Sequence, residues 1–183
     1  MLVTAKWSLT DYHQIVESGV LDQCHVELIN GEIIKIYPEG EPHAYCSDEA
    51  GEYLTSLLGE RAKVHHAKLI TLPDSASEPE PDIVIVQCLG RVYRQHHPYP
   101  ENIFGVIEYA NSSLTKDLEV KTKVYAQAGI SEYWVVNLKT MELMVMRIPT
   151  HGSYQSHVTL TKGIVTPLAF PDIDIEVKRL LNP

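Results

Sequence analysis

Basic residues are scarce in this chain: 15 lysines and arginines stand against 24 aspartates and glutamates, a formal charge of −9. Such a balance repels phosphates at long range and disfavours the broad basic face of a typical nucleic-acid binder. Affinity for a nucleic acid would have to come from a bound metal and a local basic patch. Cysteine is scarce too. Cys24, Cys46 and Cys88 are odd in number and show no CxxC spacing, so neither a disulfide framework nor a structural zinc site is indicated, and reduced, mostly buried thiols are expected. The longest apolar run, around Ile83-Val84-Ile85-Val86, is too short to cross a bilayer, and the N-terminus lacks the zones of a signal peptide. A cytoplasmic protein with no membrane partner is the expectation. Internal repeats, low-complexity segments and interdomain linkers are missing as well, and Asn111-Ser112-Ser113 matches a glycosylation acceptor only formally.

What is present is enough apolar surface for a core. With 183 residues, 44% of them hydrophobic, the chain fits a single domain over 1–183. Trp7 to Gly19 reads as a short helix capped by Ser8 or Thr10, with Leu9, Tyr12, Ile15 and Val16 on one face. Asn30-Gly31 between two apolar segments predicts an N-terminal β-hairpin over 25–36, since this pair supplies the positive φ angles of a type I′ turn. A helix is expected over 42–59, and one or two extended segments over 62–72. A polar, acidic loop over 73–81 should lead into buried strands at 83–87 and 104–109. Leu114 to Ala128 has the clearest helical pattern, ended by Gly129. Strands at 130–137, 142–148 and 154–160 should follow, then a short tail over 174–181. The predicted class is α/β, more narrowly an α+β mixed central sheet flanked by helices.

Two carboxylates and a lysine stand out against this frame. Asp82 opens one buried strand and Glu108 ends the next; neighbouring strands lie ~5 Å apart, so the two acids can share one metal. A buried acid without a partner costs several kcal/mol or takes up a proton, and a cation removes that penalty. All-oxygen ligation suits Mg²⁺ or Mn²⁺. Lys121 shares the inward stripe of its helix with Leu118 and Tyr125 and needs an acidic partner, whereas Lys116 and Lys123 read as solvated. Metal-assisted hydrolysis of a phosphodiester is the reaction such a set can perform, the lysine orienting water and offsetting charge in the transition state.

Several segments resemble, in order, the Uma-two family of putative restriction endonucleases within the PD-(D/E)XK nuclease superfamily. They are Glu27-Leu28-Ile29-Asn30-Gly31-Glu32, His43 after a proline, Pro81-Asp82, Val106-Ile107-Glu108, and the run from Asp117 through Lys121, Tyr125 and Gly129-Ile130 to Glu132-Tyr133-Trp134-Val135-Val136. The resemblance covers nearly the whole chain and implies a restriction-endonuclease-like core with Mg²⁺-dependent cleavage of DNA. On it, Asp82 and Glu108 match the metal-binding acids, Glu27 an additional acid, and His43 a histidine at a helix start. The lysine usually found two places after the second acid is replaced by Ala110, and Lys121 stands where this family moves it onto the following helix. The Asn111-Ser112-Ser113 loop and Asn137 also depart from the family pattern.

Other readings of the same residues differ. Glu27 could point outward from its hairpin, His43 could serve packing, and Asp117 suits the first turn of a helix. Tyr125, Tyr133 and Trp134 are expected in the core or at a dimer contact. Arg91, Arg94, His96 and His97 form the one local positive cluster and are candidates for phosphate contact. Besides an endonuclease acting as a homodimer, the sequence allows an inactive binding or dimerisation module, or a hydrolase of a smaller phosphoester.

Overall fold

The computed structural model describes residues 4–38, 40–110 and 114–183, with the side chains of residues 114–118 outside the description. Helix α1 (Leu9–Glu17) starts where Ser8 and Asp11 form a reciprocal capping box, which fixes the first turn and leaves Trp7 outside it. The hairpin follows as β1 (Val26–Ile29) and β2 (Glu32–Lys35), its Asn30 and Gly31 at φ +50° and +73°. Next come α2 (Glu41–Leu58), β3 (Lys63–His66), β4 (Ile83–Val86) and β5 (Ile103–Ala110). Helix α3 (Leu114–Gln127) leads to β6 (Glu132–Asn137), β7 (Glu142–Thr150) and β8 (Ser153–Leu160). The chain closes with β9 (Ile164–Val165), β10 (Ile175–Glu176) and α4 (Lys178–Leu181).

Strands β3 to β8 form one six-stranded sheet in sequence order. Its described pairs are antiparallel except β5 with β6. A parallel pair requires a crossover connection, and α3 is that crossover. Side chains alternate between two buried layers. Ile83, Ile85, Ile107, Trp134 and Val136 pack toward α2, α4 and the C-terminal segment, whereas Val84, Val106, Tyr133 and Val135 pack with Val124 and Tyr125 of α3.

Most predicted elements are present, with boundaries shifted by one to three residues. The expected strand from Ile130 starts at Glu132, because Gly129 adopts φ +74° and Ile130 still closes the helix end through Tyr125 O. Segment 62–72 yields one strand only, β3; beyond it Ala67 adopts φ +43° and Leu72 joins a single bridge to Ser77. The tail contains a strand and a helical turn, and β9, its partner, had no periodic signal in so short a run. Among the cysteines only Cys46 is buried, while Cys24 and Cys88 are exposed. The expectation of mostly buried thiols is therefore corrected: both lie in loops rather than on an inward face. Asn111-Ser112-Ser113 and the side chains of Asp117 and Lys116 lie outside the described residues. No described helix is long and apolar enough to cross a membrane.

Candidate active site

The ladder between β4 and β5 pairs Ile83 with Ile107 in antiparallel sense, so one further step sets Asp82 opposite Glu108. Directly opposed residues point to the same face with Cβ atoms ~5 Å apart. Asp82 lies just before β4 and is anchored by its own main chain, whose oxygen accepts from Ala67 N at 2.9 Å. Its side-chain Oδ2 accepts from Tyr109 N at 2.5 Å and lies 3.0 Å from His43 Nε2. His43 reaches it from the first turn of α2.

Glu108 is met from α3. Lys121 Nζ donates to Glu108 Oε1 at 3.0 Å, and the Tyr125 hydroxyl, one helical turn on, donates to the same oxygen at 2.7 Å. Lys121 Nζ also lies 3.6 Å from Glu27 Oε2, which accepts from Glu80 N at 3.2 Å. The hairpin thus brings Glu27 inward: β1 is held to the loop before β4 by Glu78 N donating to Leu28 O at 2.7 Å. The structure brings together Glu27, His43, Asp82, Glu108 and Lys121, and it adds Tyr125.

Tyr125 was expected only as a core or dimer-contact aromatic. Its ring is core, packed edge-on against Tyr133, but its hydroxyl belongs to the site. The available signal was its i+4 spacing from Lys121, which puts both on one stripe of the helix.

Arg91 and Arg94 do not join this group. Both are exposed on the 3₁₀ turn Gly90–Arg94, which follows the other end of β4 from Asp82. Arg94 instead lines a separate cleft with His96 and His97.

Electrostatics in the cluster are dominated by burial. Glu27, Asp82 and Glu108 are at most 9% exposed, and one lysine stands among them. Burial pushes the Glu108 carboxyl up; Lys121 and the Tyr125 hydrogen bond pull it down, and Glu27 pushes it up again. For Lys121 burial pulls down, but Glu108, Glu27 and Asp82 together hold it above its ordinary value, so it stays an ammonium. Burial and the neighbouring Glu108 also push the Tyr125 phenol up, keeping it a donor.

Five carboxylates are buried in the described residues: Glu27, Glu78, Asp82, Glu108 and Glu132. Glu132 is satisfied at both oxygens, by Trp134 Nε1 and Arg147 on Oε1 and by Leu168 N on Oε2. Glu78 is likewise engaged at both, by the Thr71 hydroxyl and by His13. Glu27, Asp82 and Glu108 differ. Each uses a single oxygen, leaving Glu27 Oε1, Asp82 Oδ1 and Glu108 Oε2 without a partner among the described residues.

Open carboxylate oxygens beside excess negative charge are the donor set of a hard divalent cation. No three His, Cys, Asp or Glu side chains among the described residues are disposed to enclose a metal by themselves. Two carboxylates suit Mg²⁺, which keeps several waters and takes further oxygens from a phosphate. An open cleft of about 420 Å³, bordered by Tyr45, Asp48 and His66, reaches Asp82 from the α2 side.

No curated protein matches this sequence. Among solved structures the fold is similar to that of a "putative nuclease belonging to DUF820" from Anabaena variabilis ATCC 29413, with 15% identity and a TM-score of 0.71 over 95% of this chain and 97% of that one. The model of the Uma2 family, described as "putative restriction endonuclease", matches residues 9–178, and the chain belongs to that family.

Proposed function

We propose that the protein is a Mg²⁺- or Mn²⁺-dependent endonuclease that hydrolyses DNA phosphodiester bonds at the cluster of Asp82, Glu108 and Lys121. The carrying observation is the half-engaged state of the buried acids. The buried carboxylates Glu132 and Glu78 are engaged at both oxygens, whereas Asp82 and Glu108 stand opposite each other with one oxygen each left open among the described residues. These open oxygens belong to buried carboxylates crowded beside one another, and a cation taken up there would relieve that gathered negative charge.

In this reading Asp82 and Glu108 would hold the metal, and Glu27 would help to orient a water. The metal, when bound, polarises the phosphate and lowers the pKa of a coordinated water. Lys121 acts as donor and cation: held protonated by Glu108 and Glu27, it aims at the attacking water and offsets charge developing on the phosphate oxygens. A role as general base does not suit a lysine kept protonated. Tyr125 and Lys121 together fix the rotation of the Glu108 carboxylate and so the direction of Oε2. His43 and Tyr109 N do the same for Asp82.

Purified protein incubated with supercoiled plasmid and Mg²⁺ or Mn²⁺ is expected to produce nicked and linear DNA, and chelation to stop it. Hydrolysis of a small phosphodiester with plasmid left intact would redirect the assignment to a smaller substrate.

A further inference from the structure

A second cleft, of about 590 Å³, lies between α1, the segment from Thr71 to Glu78 and the loop from Tyr93 to Tyr99. Its charge runs against the rest of the molecule. From Cys88 to Tyr99 the chain carries two arginines and two histidines and no acid, in a protein with a surplus of nine acids. Three of the five arginines are engaged: Arg61 with Asp172, Arg147 with Glu132, and Arg179 over the Tyr53 ring. Arg91 and Arg94 have no such partner among the described residues, and Arg94 lines the cleft. An exposed arginine without a carboxylate partner leaves its guanidinium fork open to an anion from outside.

The one acid in the lining does not oppose this. Glu78 is 1% exposed, with Oε1 taken by the Thr71 hydroxyl at 2.6 Å and Oε2 by His13 Nε2 at 2.8 Å. The opposite wall offers a flat surface: His96 stacks on Tyr99 with centroids 4.4 Å apart at 21°. A guanidinium beside an aromatic stack suits a phosphate and its base, and such stacking is tolerant of sequence. The cleft also adjoins the acidic cluster by chain. Glu78 forms its wall and Glu80 N binds Glu27, and from Glu78 to Asp82 is at most about 14 Å of extended backbone, the length of a few nucleotides of one strand at ~3.4 Å each.

We propose that this cleft holds the sugar-phosphate backbone of the DNA strand flanking the scissile bond, with Arg94 on a phosphate and the His96–Tyr99 stack against a base. The proposal rests on the endonuclease reading above and adds to it a place for the substrate outside the metal cluster.

Binding of a fluorescein-labelled DNA duplex and of its single strand, measured by anisotropy in Ca²⁺ across a NaCl series, tests it. Arg94→Ala is expected to weaken binding about tenfold and to reduce the salt slope by about one. Arg61→Ala, paired outside the cleft, should change neither. Because Arg94 is exposed and unpaired, its variant should melt with the wild-type protein, so lost binding would not report lost folding. Wild-type affinity and salt slope in Arg94→Ala, with DNA still bound and cleaved, would overturn the cleft and leave the nuclease standing. Absence of both binding and cleavage in the wild-type protein would overturn both.

Discussion

Asp82 and Glu108 stand opposite each other across the antiparallel step between β4 and β5, each with one carboxylate oxygen held by the protein and the other open. The held oxygens point the open ones. Glu108 receives its two donors from one helix, while Asp82 accepts from a strand amide and lies 3.0 Å from His43 Nε2 at the start of another helix, so three elements must be in place to set the pair.

Glu108→Gln should abolish plasmid cleavage, by at least about a hundredfold, without lowering the melting temperature at pH 7. Burial raises the Glu108 carboxyl above its ordinary 4.5, so as pH rises past that value the unfolded chain ionises first and the folded protein loses stability. Glutamine removes that cost, and any stability difference between the two proteins should shrink below pH 4.5. Differential scanning calorimetry at pH 4 to 8, with cleavage assayed in parallel, checks both parts.

The same variant should lack the stabilisation by metal expected of the wild-type protein. Millimolar Mg²⁺ is expected to raise the wild-type melting temperature by mass action, while Glu108→Gln and Asp82→Asn respond weakly or not at all. Equal shifts in all three proteins would remove these acids from the metal site.

Lys121→Met should be inactive and less stable by about 3–5 kcal/mol, because it leaves Glu108 and Glu27 buried without their cation. Lys121 is held above its ordinary 10.5. Its contribution is therefore complete below pH 10.5 and is lost as pH rises through the higher folded-state value. Urea titrations of both proteins should show a gap at neutral pH that shrinks in acid, as the acids left without their cation take up protons, and shrinks again in strong alkali.

Tyr125→Phe removes one of two donors on Glu108 Oε1 and keeps the ring in the core. A stability loss of about 1–2 kcal/mol is expected, with Mg²⁺ affinity or cleavage rate down about tenfold. Calorimetric metal titration separates this from a packing effect, since a purely structural tyrosine would leave metal affinity unchanged.

Thiol reagents should modify Cys24 and Cys88 in the native protein and Cys46 only on unfolding. The first two are exposed, and burial pushes the Cys46 thiol up, away from the reactive thiolate. Counting released chromophore before and after denaturant settles the order.

Much of this site could be read before any coordinates. Pro81-Asp82 before an apolar run, an acid ending the next run and an inward lysine at helical phase each carry a local signal, because strand and helix periodicities decide which way those side chains point. Glu27 was ambiguous for a physical reason. Its hairpin is not part of the main sheet, and its contacts with the loop before β4, from Ala76 to Glu80, determine which face turns inward. Tyr125 was hidden by its own ring, which satisfies the core pattern whether or not the hydroxyl has a task. Arg91 and Arg94 show a different limit: their charge was visible, but a loop without periodicity does not reveal which cleft it lines.

Lys121 arrives on a connection rather than on a strand. A parallel step between β5 and β6 obliges the chain to cross over, and α3 is that crossing, carrying the ammonium and the Tyr125 hydroxyl together. Asp82 and Glu108 are fixed by the sheet and Glu27 by the hairpin docked beside it; their cation is wired into the linkage that closes the sheet. Lifting one helix from the sheet would therefore disarm the cluster in a single movement while every carboxylate kept its place, and would leave behind a pocket of like charges that repel each other until the helix returns.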